Sequence, residues 1–316
     1  MEKKIFTQVN NGDSVRVPLS KYEKLICNFN DCGECIVSCL GILEEINSDE
    51  LAIDANLVKT ALSYLIRRHP LMRSNVIQTE GDEFTLGSSK LSIDSNFVLN
   101  IDNKRTKCDD FTRCFEWLAV KTRDEMIATM EQKNQELFDF KSPTDSIWRF
   151  TIFELENNSY GLFFLMPLFI CDGLCICTLT VELTNIINSL ILKQDCIEMR
   201  EQLDLVDNFD QLMIKKSLVD ERKLKHVKEL RDELSIDSRL PTMFNHTGES
   251  GLKLTLFKLS IELTKKLIEL TKVHSMKMTG LVSAIVIYSL KDLYEEYEIR
   301  FPKDFTFGMS ANLRFG

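Results

Sequence analysis

Apolar positions along this chain recur with two different periods, and the switches between them mark out its elements. Cys35 to Glu44 is a short, almost continuously apolar run, the pattern of a buried strand. From Asp54 to Arg68 the spacing becomes helical, with Leu57, Ala61 and Leu65 on one face and Pro70 ending the run. A hairpin is predicted next, Ser74 to Gln78 against Glu83 to Leu86, turned by Glu80-Gly81-Asp82. Phe111, Phe115, Leu118 and Ile127 then fall on or near one face of a helix predicted over about Asp109 to Glu131.

The most apolar part of the chain follows. A strand from Ile147 to Leu155 turns through Glu156-Asn157-Asn158-Ser159 into Tyr160 to Leu168, which is apolar on both alternating faces, as in a strand covered on both sides. Asp172 stands where it would cap a helix over Leu174 to Leu192. The apolar stretch Gly161 to Val181 is long enough to raise the question of a membrane span, but Asp172 and the Pro-to-Gly interval at its centre make a span costly. A buried strand leading into a buried helix is the simpler reading, and no transmembrane span is expected.

Beyond Lys193 the pattern changes. Residues 194–250 are charge-rich and end in Pro241-Thr242-Met243-Phe244-Asn245-His246-Thr247-Gly248, which reads as a solvated helix near Leu203 to Leu234 and then a loop. Residues 251–316 return to regular patterning. A strand runs over Leu252 to Leu259, and Ser260 caps a helix with Leu263, Leu267 and Leu270 on one face. A helix over about Thr279 to Tyr294 is apolar nearly all round and is expected to be buried. Finally Phe305, Phe307, Met309, Ala311 and Leu313 alternate with Thr306, Gly308, Ser310, Asn312 and Arg314, giving a strand with one core face and one polar face. The expected organisation is therefore a mixed α/β lobe (1–193), a charged linker (194–250) and a second, smaller lobe (251–316).

Composition narrows the functions open to such a chain. The 316 residues are room for about two domains, and 44% hydrophobic content suffices for real cores. A net charge of -9 argues against binding nucleic acid through phosphates and disfavours adhesion to anionic membranes. The N-terminus has basic residues without a following apolar run, so no signal peptide is expected, and the ten cysteines are expected as free thiols in a reducing, cytoplasmic setting. Cys27, Cys32, Cys35 and Cys39 invite a zinc reading, but no second paired cluster follows and no metal is expected.

Met166-Pro167-Leu168-Phe169-Ile170-Cys171-Asp172-Gly173 carries the most specific chemistry. It resembles the H-H-x-x-x-D-G motif of the coenzyme A-dependent acyltransferase superfamily, which includes condensation domains, alcohol acetyltransferases and wax-ester-type acyltransferases. Three more stretches match that superfamily in order. Arg67-Arg68-His69-Pro70-Leu71-Met72-Arg73 resembles its R-H-P-x-L-R element, Ser146-Ile147-Trp148-Arg149 its P-L-W-R element, and Phe307 to Arg314 its second-lobe strand ending in arginine. The resemblance implies an α/β (α+β), two-lobed chloramphenicol-acetyltransferase-like fold. It further implies a structural brace between Asp172 and Arg314, with Gly173, Gly308, Ser310 and Asn312 as candidates to line the cleft.

This chain departs from the motif where proton transfer is done. Pro167 and Leu168 occupy the two histidine positions, and leucine has no lone pair with which to accept a proton from an attacking alcohol or amine. His69, His226, His246 and His274 are the histidines available, none of them in the motif, and His274 is read as a helix C-cap. Cys171 occupies a non-catalytic position of the motif. The superfamily's further second-lobe elements do not follow Gly316, so the second lobe is expected to be incomplete and to leave apolar surface for a protein partner to cover. Three readings stay open: a catalytically degenerate acyltransferase-fold protein binding an acyl thioester or a protein partner, an active acyl-CoA-dependent O- or N-acyltransferase, and a truncated fragment. Acyl-CoA or an acyl thioester is the candidate ligand of the first reading and the substrate of the second, the fragment of the third has no independent function, and no covalently bound cofactor is expected.

Overall fold

The computed structural model describes residues 9–10, 14–20, 23–24, 36–44, 53–79, 96–102, 114–139, 146–156, 159–204 and 259–301. The chain forms two compact units, Met1–Leu218 and Val219–Gly316.

In the first unit, β1 (Val9–Asn10), β2 (Ser14–Pro18), β4 (Ser74–Thr79) and β5 (Asn96–Asp102) form an antiparallel sheet in the order β1-β2-β5-β4. The second sheet contains β3 (Ile36–Glu44), β6 (Phe115–Ala119), β7 (Arg149–Leu155) and β8 (Ser159–Pro167) in the order β3-β8-β7-β6. Only its β6-β7 pair is parallel, and the crossover between those two strands carries helix α2 (Arg123–Asn134).

Two helices cover one face of this second sheet. Helix α1 (Ala55–Arg68) starts on Asp54, whose Oδ1 accepts the Leu57 N–H at 2.7 Å, and buries Val58, Ala61, Leu62, Leu65 and Ile66 at helical spacing. It stops before Pro70, which opens the 3-10 turn Pro70–Arg73. Helix α3 (Gly173–Ile191) buries Ile176, Leu179, Leu183, Ile186 and Ile187. These side chains join Tyr160, Leu162, Phe164 and Met166 of β8 in one core. The alternate β8 residues face the other way, where a Cβ on Gly161 would stand 3.1 Å from Met126 Sδ of α2. Strand β8 is thus covered on both sides and buried from Tyr160 to Pro167, as its two-faced apolar pattern predicts.

Among the described residues α3 is long and apolar enough to cross a membrane by length and composition, but its apolar stripe is packed into this core. The short helix α4 (Ile197–Arg200) follows. Although residues 194–204 were expected in a solvated linker on composition, they are tied to the end of α1: Leu203 N–H donates to Arg68 O at 2.9 Å, and Arg67 donates to Met199 O.

Of the second unit, α5 (Ile261–Val273) and α6 (Met278–Glu296) are described. Ser260 caps α5 by accepting the Leu263 N–H at 3.1 Å, and His274 is its C-cap, both as predicted.

Two predicted elements are corrected, and a third falls partly outside the described residues. The stretch assigned to one helix over Asp109 to Glu131 is, in its described part, strand β6 followed by α2. Phe115 and Leu118 fit a helical stripe and a strand equally well over so short a run. Two features decide it: Trp117, whose Nε1 donates to Glu154 Oε2 on β7 at 2.8 Å, and Thr122, which restarts the chain as the α2 N-cap. Strand β4 pairs with β5, with Ser74 opposite Ile101; the predicted turn at Glu80-Gly81-Asp82 and the partner over Glu83 to Leu86 lie outside the described residues. Helix α6 is not buried: Val282, Ile285, Val286 and Tyr288 are exposed, and Tyr294 is its buried residue. An all-round apolar helix has surface to bury, but its composition does not say what will cover it.

Candidate functional site

The motif sits where β8 ends. Pro167 is the last residue of the strand, opposite Ile36 of β3, and as a proline it brings no N–H to the end of the ladder. Residues 168–170 turn, with Ile170 N–H donating to Pro167 O at 3.2 Å. That turn buries Phe169 and leaves the Leu168 side chain 38% exposed. Cys171 is buried, its Sγ 3.6 Å from the Asp172 carbonyl.

Asp172 is the N-cap of α3. Its backbone is extended (φ -98, ψ 176), its Oδ1 accepts the Cys175 N–H at 2.8 Å, and its carbonyl accepts the Ile176 N–H at 3.0 Å. A negative carboxylate at the positive end of a 19-residue helix also complements the helix dipole. Nothing lies within 4 Å of where a Cβ on Gly173 would stand, so the space beside the first residue of α3 is open.

His69 is far from this turn. Its Nε2 meets Glu182 Oε2 at 2.5 Å, and because a carboxylate only accepts, the proton of that bond belongs to the imidazole. Glu182 lies roughly 15 Å along the α3 axis from Asp172, at 1.5 Å of rise per residue. The same carboxylate is 3.4 Å from Arg68 Nε, and Arg68 Nη1 continues to Glu201 O at 3.1 Å. Burial pushes the Glu182 carboxyl up, but the hydrogen bond and charge of His69, joined by Arg68, outweigh it and hold it below the usual carboxylate range. Arg73 completes the element by donating from Nη1 to the carbonyls of Ile66 at 2.9 Å and Arg67 at 2.6 Å, the open end of α1.

The R-H-P element is therefore a clamp joining the end of α1 to the middle of α3 and the end of α4, and His69 is committed to it. The other described histidine, His274, caps α5 in the second unit. At the motif turn itself, residues 167–173 offer only the carboxylate of Asp172 and the buried thiol of Cys171 as titratable groups. Among the described residues no three His, Cys, Asp or Glu side chains cluster so as to hold a metal. Arg314, the expected brace, and the cleft candidates Gly308, Ser310 and Asn312 lie outside the described residues.

Sequence reasoning missed Glu182 and Cys177. Glu182 is a lone acid in an otherwise apolar helix, which is the signal that could have pointed to a buried cationic partner. Cys177, whose Sγ lies 3.7 Å from that of Cys39, carries no such signal, since the two are 138 residues apart in the chain.

No family model matches the chain, and no curated protein is significantly similar in sequence. Solved structures are similar. The epimerization domain from the third module of tyrocidine synthetase B is 14% identical with a TM-score of 0.54, over 88% of this chain and 58% of that one. The condensation domain from the Monacolin K polyketide synthase is 14% identical with a TM-score of 0.49, over 86% and 58%. A mutant starter condensation domain of the rhizomide synthetase, solved in complex with C8-CoA, is 9% identical with a TM-score of 0.47, over 70% and 45%. The chain spans about half the length of the solved structures it matches. It shares the mixed α/β, chloramphenicol-acetyltransferase-like fold of that epimerization domain.

Proposed function

We propose that this chain binds an acyl thioester of the acyl-CoA kind without transferring the acyl group. The observation that carries this is the turn after β8: leucine stands at position 168, where the resembling motif has its general base, and Asp172 is engaged as a helix cap. Acyl transfer to an alcohol or amine needs a group within hydrogen-bond reach of the attacking O–H or N–H that can accept its proton. Leu168 offers none. The acyl-thioester half of the reading rests on the motif resemblance and on the fold shared with the epimerization domain.

The test is to incubate the full chain with acyl-CoA of several chain lengths and a mixture of alcohols and amines. Saturable binding by calorimetry, with no ester or amide above a heat-killed control by mass spectrometry, is the expected result. Product above that control would replace this reading with that of an active acyltransferase. Absence of binding at every chain length would remove the ligand class. A Leu168→His variant serves as the companion, because an exposed position of this kind tolerates substitution within about 0.5 kcal/mol. It should therefore fold and bind as the parent does.

A further inference from the structure

Strand β3 and helix α3 approach unusually closely at one point. A Cβ built on Gly41 would lie 2.8 Å from Thr180 Cγ2, closer than non-bonded carbons come, so the helix rests here on bare backbone. The next residue toward the N-terminus on the same strand face is Cys39, and one helical turn before Thr180 is Cys177. Stepping back from the contact covers roughly 6.8 Å along a strand and roughly 4.5 Å along a helix, so the two cysteines are carried to one place. Their sulfurs are 3.7 Å apart, and both are free thiols.

We infer that Cys39 and Cys177 form a thiol-oxidation site, which reacts with a hydroperoxide to give an intrachain disulfide fastening α3 to β3.

Geometry sets the roles of the two sulfurs. Cys177 is exposed and meets the oxidant first, whereas Cys39 is half-buried between strand and helix. In the first step the Cys177 sulfur attacks the peroxide oxygen. The O–O bond breaks, the alkoxide or hydroxide leaves with the thiol proton, and Cys177 becomes a sulfenic acid. In the second step the Cys39 sulfur attacks the Cys177 sulfur. The S–O bond breaks, and hydroxide leaves as water with the Cys39 proton. Two thiols are thereby oxidised by two electrons, and one hydroperoxide is reduced to an alcohol, or water, plus water. Burial is the main cause that raises the Cys39 thiol above its ordinary pKa, in keeping with Cys39 as the second sulfur to react. Closing the gap to a bond of about 2.05 Å requires the sulfurs, 3.7 Å apart, to move together by roughly 1.7 Å.

The link would have a structural consequence. It ties residues 138 apart in the chain and encloses β8 and the Leu168 turn, so the helix beginning at Asp172 is held to the sheet edge one turn and a half from its cap.

The full-length chain, treated with hydrogen peroxide, blocked with a maleimide and mapped by peptide mass spectrometry, tests this. Of the ten cysteines, a loss of two titratable thiols is expected, with a Cys39–Cys177 linked peptide lighter by two hydrogens and restored by dithiothreitol. The oxidised protein should unfold several degrees higher than the reduced one. Peroxide treatment in urea should lose the preference for this pair. In Cys39→Ser, Cys177 should stop at the sulfenic acid and be trapped by dimedone. Over-oxidation of Cys177 to sulfinic or sulfonic acid in the folded parent without a linked peptide would overturn the proposal, as would equal pairing in folded and urea-unfolded chains. Both of those results come from the unmutated chain, so they do not depend on whether a variant folds.

Discussion

The indole Nε1 of Trp148 donates to the main-chain oxygen of Met72 at 2.9 Å, across 76 residues of sequence and inside the core. Two of the separated stretches on which the sequence resemblance rests, the R-H-P turn and the S-I-W-R segment, are thus physically bonded to each other. They occur together because each satisfies the other. Met72 is buried in a 3-10 turn, where its carbonyl needs a donor, and Trp148, 1% exposed, needs a partner for its N–H.

That bond gives the first prediction. Trp148→Phe keeps a large aromatic ring in the core but leaves the Met72 oxygen buried without this donor. It should cost about 2–3 kcal/mol, the desolvation of an unpaired carbonyl added to lost packing volume. Urea denaturation followed by circular dichroism measures it. A loss under about 0.5 kcal/mol would mean the hydrogen bond contributes nothing net.

Glu182 provides a second test, and its pH dependence has a definite sign. Its folded pKa is depressed, so the stabilisation it gives is complete above the ordinary carboxylate range and is lost as pH falls through the lowered folded value. Glu182→Gln keeps an acceptor oxygen for His69 but leaves the Arg68 guanidinium, 10% exposed, without its countercharge on α3. The substitution should cost about 3 kcal/mol at neutral pH. The stability difference between parent and variant should shrink as both are taken into acid. A difference independent of pH down to the acid limb would mean that the Glu182 charge is not what the clamp uses.

How much of this could be read in the sequence follows from what kind of information each residue carries. Helices α1, α3 and α5 were legible because their caps (Asp54, Asp172, Ser260) and their stripes lie within one stretch of chain. Strand β8 was legible because burial on both faces leaves a continuous apolar run. Strand β6 was not, since five residues carry too few periods to tell a strand from a helical turn, and the β7 neighbour that decides it lies beyond the α2 crossover. The exposed face of α6 was misjudged because apolarity reports the need for cover and not its presence. At the motif, the cap role of Asp172 was legible from spacing alone. The commitment of His69 to Glu182, and the meeting of Cys39 with Cys177, depend on how α3 lies against α1 and β3, which no local pattern encodes.

The close approach at Gly41 makes a sharper demand. Gly41→Ala places a methyl 2.8 Å from Thr180 Cγ2, and both atoms belong to groups with little freedom to yield: one is on strand backbone, the other on a β-branched residue of a helix. The variant should lose about 1–3 kcal/mol to overpacking. Adding Thr180→Ser removes the opposing methyl while keeping the hydroxyl that donates to Ile176 O at 2.8 Å, and should recover most of the loss. Thermal melts of the two single variants and the double variant give the coupling. Strict additivity would mean that the helix and strand are not in contact at this point.

Asp172 can act on α3 in two ways that substitutions separate. As an N-cap it needs only a side-chain oxygen at the Cys175 N–H, which asparagine also supplies. As one half of the brace expected with Arg314 it needs its charge. Asp172→Ala removes both, and Asp172→Asn removes the charge alone. The alanine variant should be less stable than the asparagine variant by about 1 kcal/mol, the usual worth of a cap. Any further gap between Asp172→Asn and the parent measures the charge. If that gap vanishes when Arg314→Gln is the background, the charge acts on Arg314; if it persists unchanged, the charge acts elsewhere, the helix dipole included. Equal stability of the alanine and asparagine variants would rule out the cap as a contributor, despite its 2.8 Å bond.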